Sequence, residues 1–365
     1  MADSTDTPPA ADPAADSDAA RQGGHFGMYL EDTLHSLRVD RARRRGEVQT
    51  VLAFTGYGST DWVRVLGRVI LAKPGFFAGE DQSRAAKAIR DGWRGWRNFI
   101  SPPVNNAVVT VEVGGVRHEV QADRGGVVDA VLPASLEPGW ATVTLHSQDG
   151  ESMVSPVYVV DPAATVGVLS DIDDTIMVTA LPRPMLAAWN TFVLDEHART
   201  PTPGMAVLYD RLARAHAGPV IYLSTGAWNV APTLTRFITR NLYPAGPLLL
   251  TDWGPTRDRW FRSGPDHKRS QLERLAKDFP NIKWLLIGDD GQHDEAIYAA
   301  FAQRYPENVQ AVAIRQLSTG EAVLAGGRST SHRDAVPSDI PWIYAADGAG
   351  MSRQLAELGL LPDAG

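Results

Sequence analysis

Residues 167–179 read GVLSDIDDTIMVT, in which an apolar run leads directly into three aspartates within four positions. The short apolar run predicts a buried β-strand. Acidic residues form strands poorly and neighbouring carboxylates repel one another, so we expect the strand to end at Asp171, Asp173 and Asp174. Because crowded carboxylates are unfavourable unless a cation offsets their charge, this stretch marks a candidate functional site.

The chain after residue 165 alternates between short apolar runs and segments with helical periodicity. The apolar runs are TVGVLS, PVIYLS, PLLLTD, IKWLLIGD, VQAVAIR and PWIYAAD. This α/β alternation predicts a parallel sheet with helices on both faces. Ligands of such sheets bind at the carboxyl ends of the strands, which is where the aspartates are expected. The segment 318–339 is expected to form a long loop.

Polar groups recur at other predicted strand ends and at one helix start. These are Ser224, Thr225, Lys268, Asp289, Asp290 and Asp294. Hard carboxylate oxygens without Cys or His ligands favour Mg²⁺. A carboxylate beside Mg²⁺ and Lys stays ionised and can act as a nucleophile, while a second carboxylate acts as general acid. The residue types therefore predict transfer of a phosphoryl group through an aspartyl phosphate.

The motifs resemble, in order, those of the haloacid-dehalogenase (HAD) superfamily of phosphatases. They are DxDxT at residues 171–175, Ser224 after an apolar strand, Lys268, and GDxxxxD with Asp289 and Asp294. The segments SDIDDTI, PTPGMAVLYDRLA, YLSTGAW and IGDDGQHDEAIY are further similar to the catalytic domain of the actin-patch-type phosphatidate phosphatases. The resemblance covers about residues 165–315 and implies a HAD-like Rossmannoid parallel sheet with a small cap or none.

The resemblance implies a role for each residue of the first motif. Asp171 attacks phosphorus and is phosphorylated. Asp173 protonates the leaving oxygen and then activates water, and its backbone carbonyl also contacts Mg²⁺. Thr175 helps to fix the turn after the strand.

The later motifs supply the remaining implied roles. Ser224, favoured here over Thr225, binds the phosphoryl oxygens. Lys268 offsets the charge of Asp171 and of the phosphoryl group. Asp289 is a further Mg²⁺ contact, and either Asp294 or Asp290 orients a water molecule beside the ion.

The chain divides by composition into four parts. Residues 1–24 are rich in Ala, Asp and Pro and are expected to be disordered. Residues 25–48 are expected to form an amphipathic helix, and 49–162 a β-sandwich-like domain with a helical insert at about 82–99. Residues 163–361 form the predicted catalytic domain. Its cap, built from about 177–202, is small, and an open site suits a lipid headgroup.

Composition restricts the partners. The formal net charge of −8 argues against a general nucleic-acid binder, and the absence of cysteine excludes disulfides and thiolate metal sites. No apolar stretch reaches the ~20 residues that span a bilayer. The helix 25–45 and the Arg/Trp segment 90–99 suit an anionic membrane surface, although docking on the protein itself is the commoner role. We expect a cytoplasmic protein with at most peripheral membrane contact, and no protein partner can be inferred.

Three functions fit these observations. The first is a Mg²⁺-dependent phosphatidate phosphatase, which converts phosphatidate and water to diacylglycerol and phosphate. The second is a phosphatase for soluble or protein-bound phosphomonoesters, with the β-rich region as a docking surface. The third is a scaffold that binds lipid surfaces or proteins on a residual phosphatase fold.

Overall fold

The computed structural model describes a large part of the chain. The described residues are 36–75, 102–149, 152–179, 199–251, 264–291, 293–325, 327–328 and 339–362. The predicted tail 1–24, the Arg/Trp segment 90–99 with its helical insert, and most of the predicted cap lie outside them. Of the predicted helix 25–45, residues 36–44 are described and are helical (α1).

The N-terminal sheet contains seven strands in the spatial order β4-β3-β6-β7-β1-β2-β5. The strands are β1 (Val48–Gly58), β2 (Trp62–Ala72), β3 (Val108–Val113), β4 (Val116–Gln121), β5 (Val127–Pro133), β6 (Gly139–His146) and β7 (Ser152–Val159). Neighbours pair antiparallel except β1 and β7, which are parallel. The edge strands β4 and β5 contact one another, so the sheet nearly closes on itself.

This arrangement corrects the prediction of a sandwich, because all the strands of the N-terminal sheet belong to one continuous hydrogen-bonded ladder. The physical reason lies in β1 and β2, which are 11 residues long. The register of their pairing shifts between Phe54 and Tyr57. A bulge of this kind bends a strand, which lets one sheet curve around its core where two were expected.

The C-terminal sheet is made of the predicted apolar runs. Its strands are β8 (Val166–Asp171), β11 (Val220–Ala227), β12 (Leu248–Thr251), β13 (Lys283–Asp289), β14 (Val309–Arg315) and β15 (Trp342–Ala345). All are parallel, in the order β12-β11-β8-β13-β14-β15. The prediction of a mixed α/β protein with a parallel sheet is therefore confirmed.

Six helices accompany the C-terminal sheet in the described residues. They are α2 (Met205–His216), α3 (Ala231–Arg240), α4 (Gly264–Asp278), α5 (Asp294–Arg304), α6 (Thr319–Leu324) and α7 (Gly348–Glu357). Helix α6 lies in the predicted loop 318–339, so that prediction is wrong there. Its Ser318 hydroxyl accepts from the amide of Glu321, and the Glu321 side chain accepts from the amide of Ser318, which is a capping box.

A short two-stranded ladder follows β8. It pairs β9 (Met177–Thr179) with β10 (Arg199–Pro201). Between β8 and β9, the amides of Thr175, Ile176 and Met177 donate to the carbonyl oxygen of Ile172, which forms one tight turn. Residues 180–198, which hold most of the predicted cap, lie outside the described residues.

The two sheets share hydrophobic contacts. Tyr57, Leu66 and Val127 of the N-terminal sheet belong to the same buried cluster as the core of the C-terminal sheet. Helix α1 packs on the N-terminal sheet through the buried Ala42. Among the described residues, no helix is both long enough and apolar enough to cross a membrane.

Candidate active site

Three of the predicted site residues lie at or near the ends of neighbouring strands. Strand β8 lies between β11 and β13, and Asp171 is in register with Leu223 of β11. Ser170 is in register with Ile287 of β13. Because all these strands are parallel, Asp171, Ser224 and Asp289 meet at the carboxyl edge of the sheet.

Three buried carboxylates converge there. One oxygen from each of Asp171, Asp289 and Asp294 lies within 4.8 Å of the others. Their residues are only 2%, 5% and 3% exposed. The ammonium of Lys268 joins two of them, with Nζ 2.5 Å from Asp171 Oδ1 and 2.6 Å from Asp294 Oδ1. The structure therefore brings these four of the predicted residues together.

Backbone groups at the end of β13 hold the acidic residues in place. The amide of Gly291 donates to Asp289 Oδ1 at 2.7 Å, and the amide of Asp289 donates to Asp294 Oδ2 at 3.4 Å. Asp294 is the first residue of α5, where the helix dipole favours a negative charge. Gly288 opens the GDxxxxD motif, in which only the two acids were assigned a role. A Cβ there would lie 2.6 Å from Asp294 Oδ2, so glycine is what admits Asp294 to this position.

Electrostatics make the cluster unfavourable without a further positive charge. Burial raises the pKa of Asp171 well above its usual range; Lys268 opposes this rise, whereas Asp294 and Asp173 add to it. Burial also raises the pKa of Asp289, and Asp294 and Asp171 add to that rise. The pKa of Lys268 is raised as well, since its carboxylate partners outweigh the burial that disfavours its charge. One ammonium thus faces three carboxylates that repel one another.

The donor set fits a divalent cation. Buried carboxylate oxygens are the hard ligands that Mg²⁺ prefers, and a divalent charge would offset the repulsion among them. Asp171, Asp289 and Asp294 are the residues that are placed to hold it. In the part of the chain that the structure describes, no other group of three or more His, Cys, Asp or Glu side chains has its ligand atoms within 4.8 Å of one another.

Asp173, Thr175 and Ser224 border this cluster. Ser224 Oγ donates to Asp173 Oδ2 at 3.0 Å and accepts from the amide of Gly226 at 3.0 Å. Thr175 Oγ1 donates to Asp171 Oδ2 at 3.2 Å. The hydroxyl of Ser224 is therefore tied to the first motif. The side chain of Thr225 instead packs against the start of α4, where a Cβ on Gly264 would be 2.7 Å from Thr225 Cγ2.

Asp290 has a different environment from Asp289. Its Oδ1 accepts from the amide of Leu317 at 2.9 Å, and its Oδ2 pairs with Arg328 Nε at 3.2 Å. Asp290 is not a member of the carboxylate cluster. Of the two residues that the sequence left open for the outer metal role, the geometry favours Asp294 over Asp290.

Arg315 is a residue near the site that the sequence analysis missed. It ends β14 and is 4% exposed. Its Nη1 donates to the carbonyl oxygen of Asp174 at 2.7 Å, and its Nη2 pairs with Glu321 at 2.6 Å. Asp174 has a left-handed backbone with φ of 59°, so Arg315 secures a turn that a non-glycine residue adopts at a cost. An arginine ending a buried apolar run was the available signal.

Ser170 and Tyr209 form a buried hydrogen-bonded pair next to Asp171. The Ser170 and Tyr209 hydroxyl oxygens lie 2.5 Å apart, and Ser170 Oγ donates to the Asp171 carbonyl at 2.6 Å. Both residues are fully buried. The two hydroxyls fix the peptide group that follows Asp171. No periodicity in the sequence indicated this contact.

Residues 166–316 match the catalytic domain of the phosphatidate phosphatase APP1 family. The matched range contains every predicted site residue, so the resemblance to this family is confirmed. The family match covers the C-terminal sheet up to the end of β14, and the N-terminal sheet lies outside it.

Two curated fungal proteins are similar over about half of this chain. The phosphatidate phosphatase APP1 of Saccharomyces cerevisiae is 27% identical over 185 residues, which are 50% of this chain and 31% of the yeast protein. An uncharacterized protein of Schizosaccharomyces pombe is 26% identical over 201 residues, 52% of this chain and 33% of its own length. The aligned regions thus span about a third of each relative.

Among solved structures, a carbohydrate acetylesterase from Xanthomonas citri aligns with 12% identity and a TM-score of 0.28. The alignment covers 82% of this chain and 69% of the esterase. A TM-score at this level carries no argument about fold or activity.

Proposed function

We propose that this protein is a Mg²⁺-dependent phosphatidate phosphatase that works through an aspartyl-phosphate intermediate. The observation that carries the proposal is the convergence of Asp171, Asp289, Asp294 and Lys268 within the range matched by the APP1 catalytic domain. The all-parallel C-terminal sheet, with its first strand β8 in a central position, supports the finer assignment to the HAD-like Rossmannoid fold.

Mg²⁺ would be held by the carboxylates of Asp171, Asp289 and Asp294, with the carbonyl of Asp173 as a further ligand. When bound there, the ion would supply positive charge that offsets the charge of the phosphoryl oxygens and of the crowded carboxylates. Lys268 adds a positive charge beside the attacking carboxylate, because its ammonium contacts Asp171.

The chain's own residues then divide the reaction into two displacements. A carboxylate oxygen of Asp171 attacks phosphorus while the bond from phosphorus to the glycerol oxygen breaks. Asp173 gives its proton to that oxygen, so diacylglycerol leaves as the neutral alcohol. The ionised Asp173 then takes a proton from water, which attacks the aspartyl phosphate. Inorganic phosphate is released and Asp171 is restored.

Hydrogen bonds orient the carboxyl groups of Asp171 and Asp173 for these roles. The Ser224 hydroxyl donates to Asp173 Oδ2 and so orients that carboxyl group beside the first motif. Thr175 donates to Asp171 Oδ2, while Lys268 binds Oδ1 of the same residue. Asp171 is therefore held by different partners on its two oxygens, which limits its rotation and favours one direction of attack.

The experiment measures phosphate release from phosphatidate in detergent micelles, with Mg²⁺ and with a chelator. Asp171→Asn is the test variant, and Asp210→Asn, an exposed aspartate on α2, is the matched control. We expect release that requires both Mg²⁺ and Asp171 and survives in the control. Full Mg²⁺-dependent activity in Asp171→Asn would exclude the aspartyl-phosphate mechanism.

The lipid assignment has its own outcome in the same assay. A water-soluble aryl phosphate is tested beside phosphatidate. If only the aryl phosphate is cleaved, and cleavage requires Mg²⁺ and Asp171, the mechanism stands and the substrate is a soluble phosphomonoester. If wild-type protein releases phosphate from neither substrate, the proposal of a phosphatase is wrong.

A further inference from the structure

Helix α4, which carries Lys268, is bound on one side by the N-terminal sheet. Gln271, Arg274 and Asp278 follow Lys268 along the chain and lie together on one side of the helix. Each of the three contacts a residue of the N-terminal sheet. The helix is thus fastened along its length to a sheet that lies outside the matched catalytic domain.

Arg64 of β2 is at the centre of these contacts. It is 2% exposed, and it forms a bidentate pair with Asp129 of β5, with N···O distances of 2.6 and 2.7 Å. Its Nη1 also donates to Tyr57 Oη at 2.7 Å and to Gln271 Oε1 of α4 at 3.1 Å. A buried guanidinium with this many directed bonds defines the position of its partners closely.

Tyr57 of β1 extends the connection to the far end of α4. Its hydroxyl accepts from Arg64 and donates to Asp278 Oδ2 at 3.0 Å. Burial raises the pKa of the Tyr57 phenol, so the group remains a donor at neutral pH. Asp129 also pairs with Arg274 of α4 at 3.3 Å. Removal of the Tyr57 hydroxyl would therefore interrupt the network in two places.

The same strand also contacts the element that follows Ser224. Phe54 of β1 stacks on Trp228, with ring centroids 4.7 Å apart and planes inclined by 18°. Trp228 opens the short helical turn after β11. Strand β1 therefore contacts both α4, which carries Lys268, and the turn that follows the strand carrying Ser224. The two contacts lie on either side of the bulge in β1.

We propose that the N-terminal sheet is a positioning part of the active site, in which Arg64 and Tyr57 hold α4 so that Lys268 lies between Asp171 and Asp294. A lysine side chain is long and flexible, and its two short contacts require the helix to be placed accurately. A displacement of such a group by about 1 Å costs on the order of 100-fold in the rate of chemistry. The kinetic part of this inference rests on the proposed phosphatase function.

The kinetic experiment uses Tyr57→Phe, with Tyr158→Phe as its matched control. Tyr158 pairs with Tyr57 in the same sheet, and its ring packs edge-on against Trp140. It packs against the shared core, but among the described residues its hydroxyl forms no hydrogen bond with α4. On the aryl phosphate we expect Tyr57→Phe to lower kcat about tenfold with KM changed less than about twofold, and the control to match wild type.

A double-variant cycle distinguishes positioning from a general loss of structure. In a Lys268→Ala background, Tyr57→Phe should cause no further loss of kcat, because the group that it positions is absent. Losses that multiply would overturn the inference, as would wild-type kcat in Tyr57→Phe. Gln271→Met is a second variant, which removes the acceptor that α4 offers to Arg64 and leaves Arg64, Asp129, Tyr57 and Asp278 in place.

Hydrogen–deuterium exchange of the backbone amides tests the docking without reference to activity. In Tyr57→Phe, the amides of residues 268–274 should exchange about tenfold faster than in wild type, and Tyr158→Phe should leave them unchanged. If the exchange responds in this way while wild-type protein cleaves no phosphate ester, the proposed function fails and the docking stands. Unchanged exchange in both Tyr57→Phe and Gln271→Met would overturn the docking.

Discussion

Lys268 Nζ lies 2.5 Å from Asp171 Oδ1, so a buried ammonium is the direct counter-ion of the residue that we expect to attack phosphorus. The same ammonium is 2.6 Å from Asp294 Oδ1. One cation therefore links the first and last motifs of the site. This ammonium offsets the charges of the buried Asp171 and Asp294. The free energy of unfolding therefore depends on the side chain of Lys268.

Loss of Lys268 should affect both stability and activity. Lys268→Ala leaves Asp171 and Asp294 buried without their counter-ion, and breaking a buried pair costs about 3–5 kcal/mol of the free energy of unfolding. We expect Mg²⁺ to restore part of this loss and kcat to fall on the order of 10²–10³-fold. Urea unfolding with and without Mg²⁺, and phosphate release, measure these effects.

The matched control for that variant is Lys277→Ala, which removes an exposed lysine from the same helix. It should unfold and react like wild type. A Lys268→Ala protein that is as stable and as active as Lys277→Ala would contradict the role of the ammonium.

Asp289 should make the metal-free protein less stable as the pH rises. Its pKa in the folded protein is raised, so the folded state holds this proton more tightly than the unfolded state does. The penalty is absent below the unfolded pKa of about 3.9, grows as the pH rises, and is complete above the raised folded pKa. Asp289→Asn removes it, so in chelator the variant should gain stability over wild type as the pH increases.

Unfolding by urea at several pH values measures this difference. Asparagine keeps the oxygen that accepts from the amide of Gly291, so the local turn should persist. Addition of Mg²⁺ should stabilise wild type more than the variant. A stability difference that does not vary with pH in chelator would be inconsistent with the raised pKa.

Asp290 and Asp294 should differ in their effect on Mg²⁺. Asp294→Asn changes a member of the carboxylate cluster, and we expect the Mg²⁺ concentration for half-maximal activity to rise at least about tenfold. Asp290→Asn changes a residue that binds Leu317 and Arg328, and the same concentration should stay within about threefold of wild type. Magnesium titrations of activity compare the two. The reverse order would assign the outer metal role to Asp290.

Gly288→Ala should disturb the site although glycine has no side chain to react. The new Cβ would lie 2.6 Å from Asp294 Oδ2 and 2.8 Å from Tyr298 Cε2, so Asp294 must shift from the position in which it contacts Lys268. A displacement of about 1 Å costs on the order of 100-fold in kcat. The control is Gly320→Ala in α6, where a Cβ has no heavy atom within 4 Å and alanine favours the helix. Equal kcat in the two variants would contradict the proposed constraint.

The C-terminal sheet and its acidic edge could be predicted from local patterns. Its strands are short and mostly apolar, and parallel strands buried on both faces have this pattern. Asp171, Ser224 and Asp289 follow such runs directly, so strand direction alone brought them to one edge. Helix α6 was missed although its capping box, Ser318 and Glu321, can be read in the sequence, because the Gly-rich stretch after it suggested a loop.

Other features depend on contacts between distant residues, and local patterns carry no information about them. Arg64 pairs with Asp129, 65 positions away, and with Gln271, 207 positions away. Asp289 and Asp290 are adjacent and chemically identical, yet only the turn after β13 directs one into the carboxylate cluster and the other towards Leu317.

The amino-acid sequence alone was sufficient for the strands of the C-terminal sheet, for its helices except α6, and for the polar residues that end its strands, since periodicity and strand ends are local properties. The tertiary structure was required to find that Lys268 joins Asp171 to Asp294, that Gly288 makes room for Asp294, and that the N-terminal sheet grips α4. These depend on how burial and hydrogen bonding are satisfied across the whole fold, where each polar group must find its partner among residues far away in the chain.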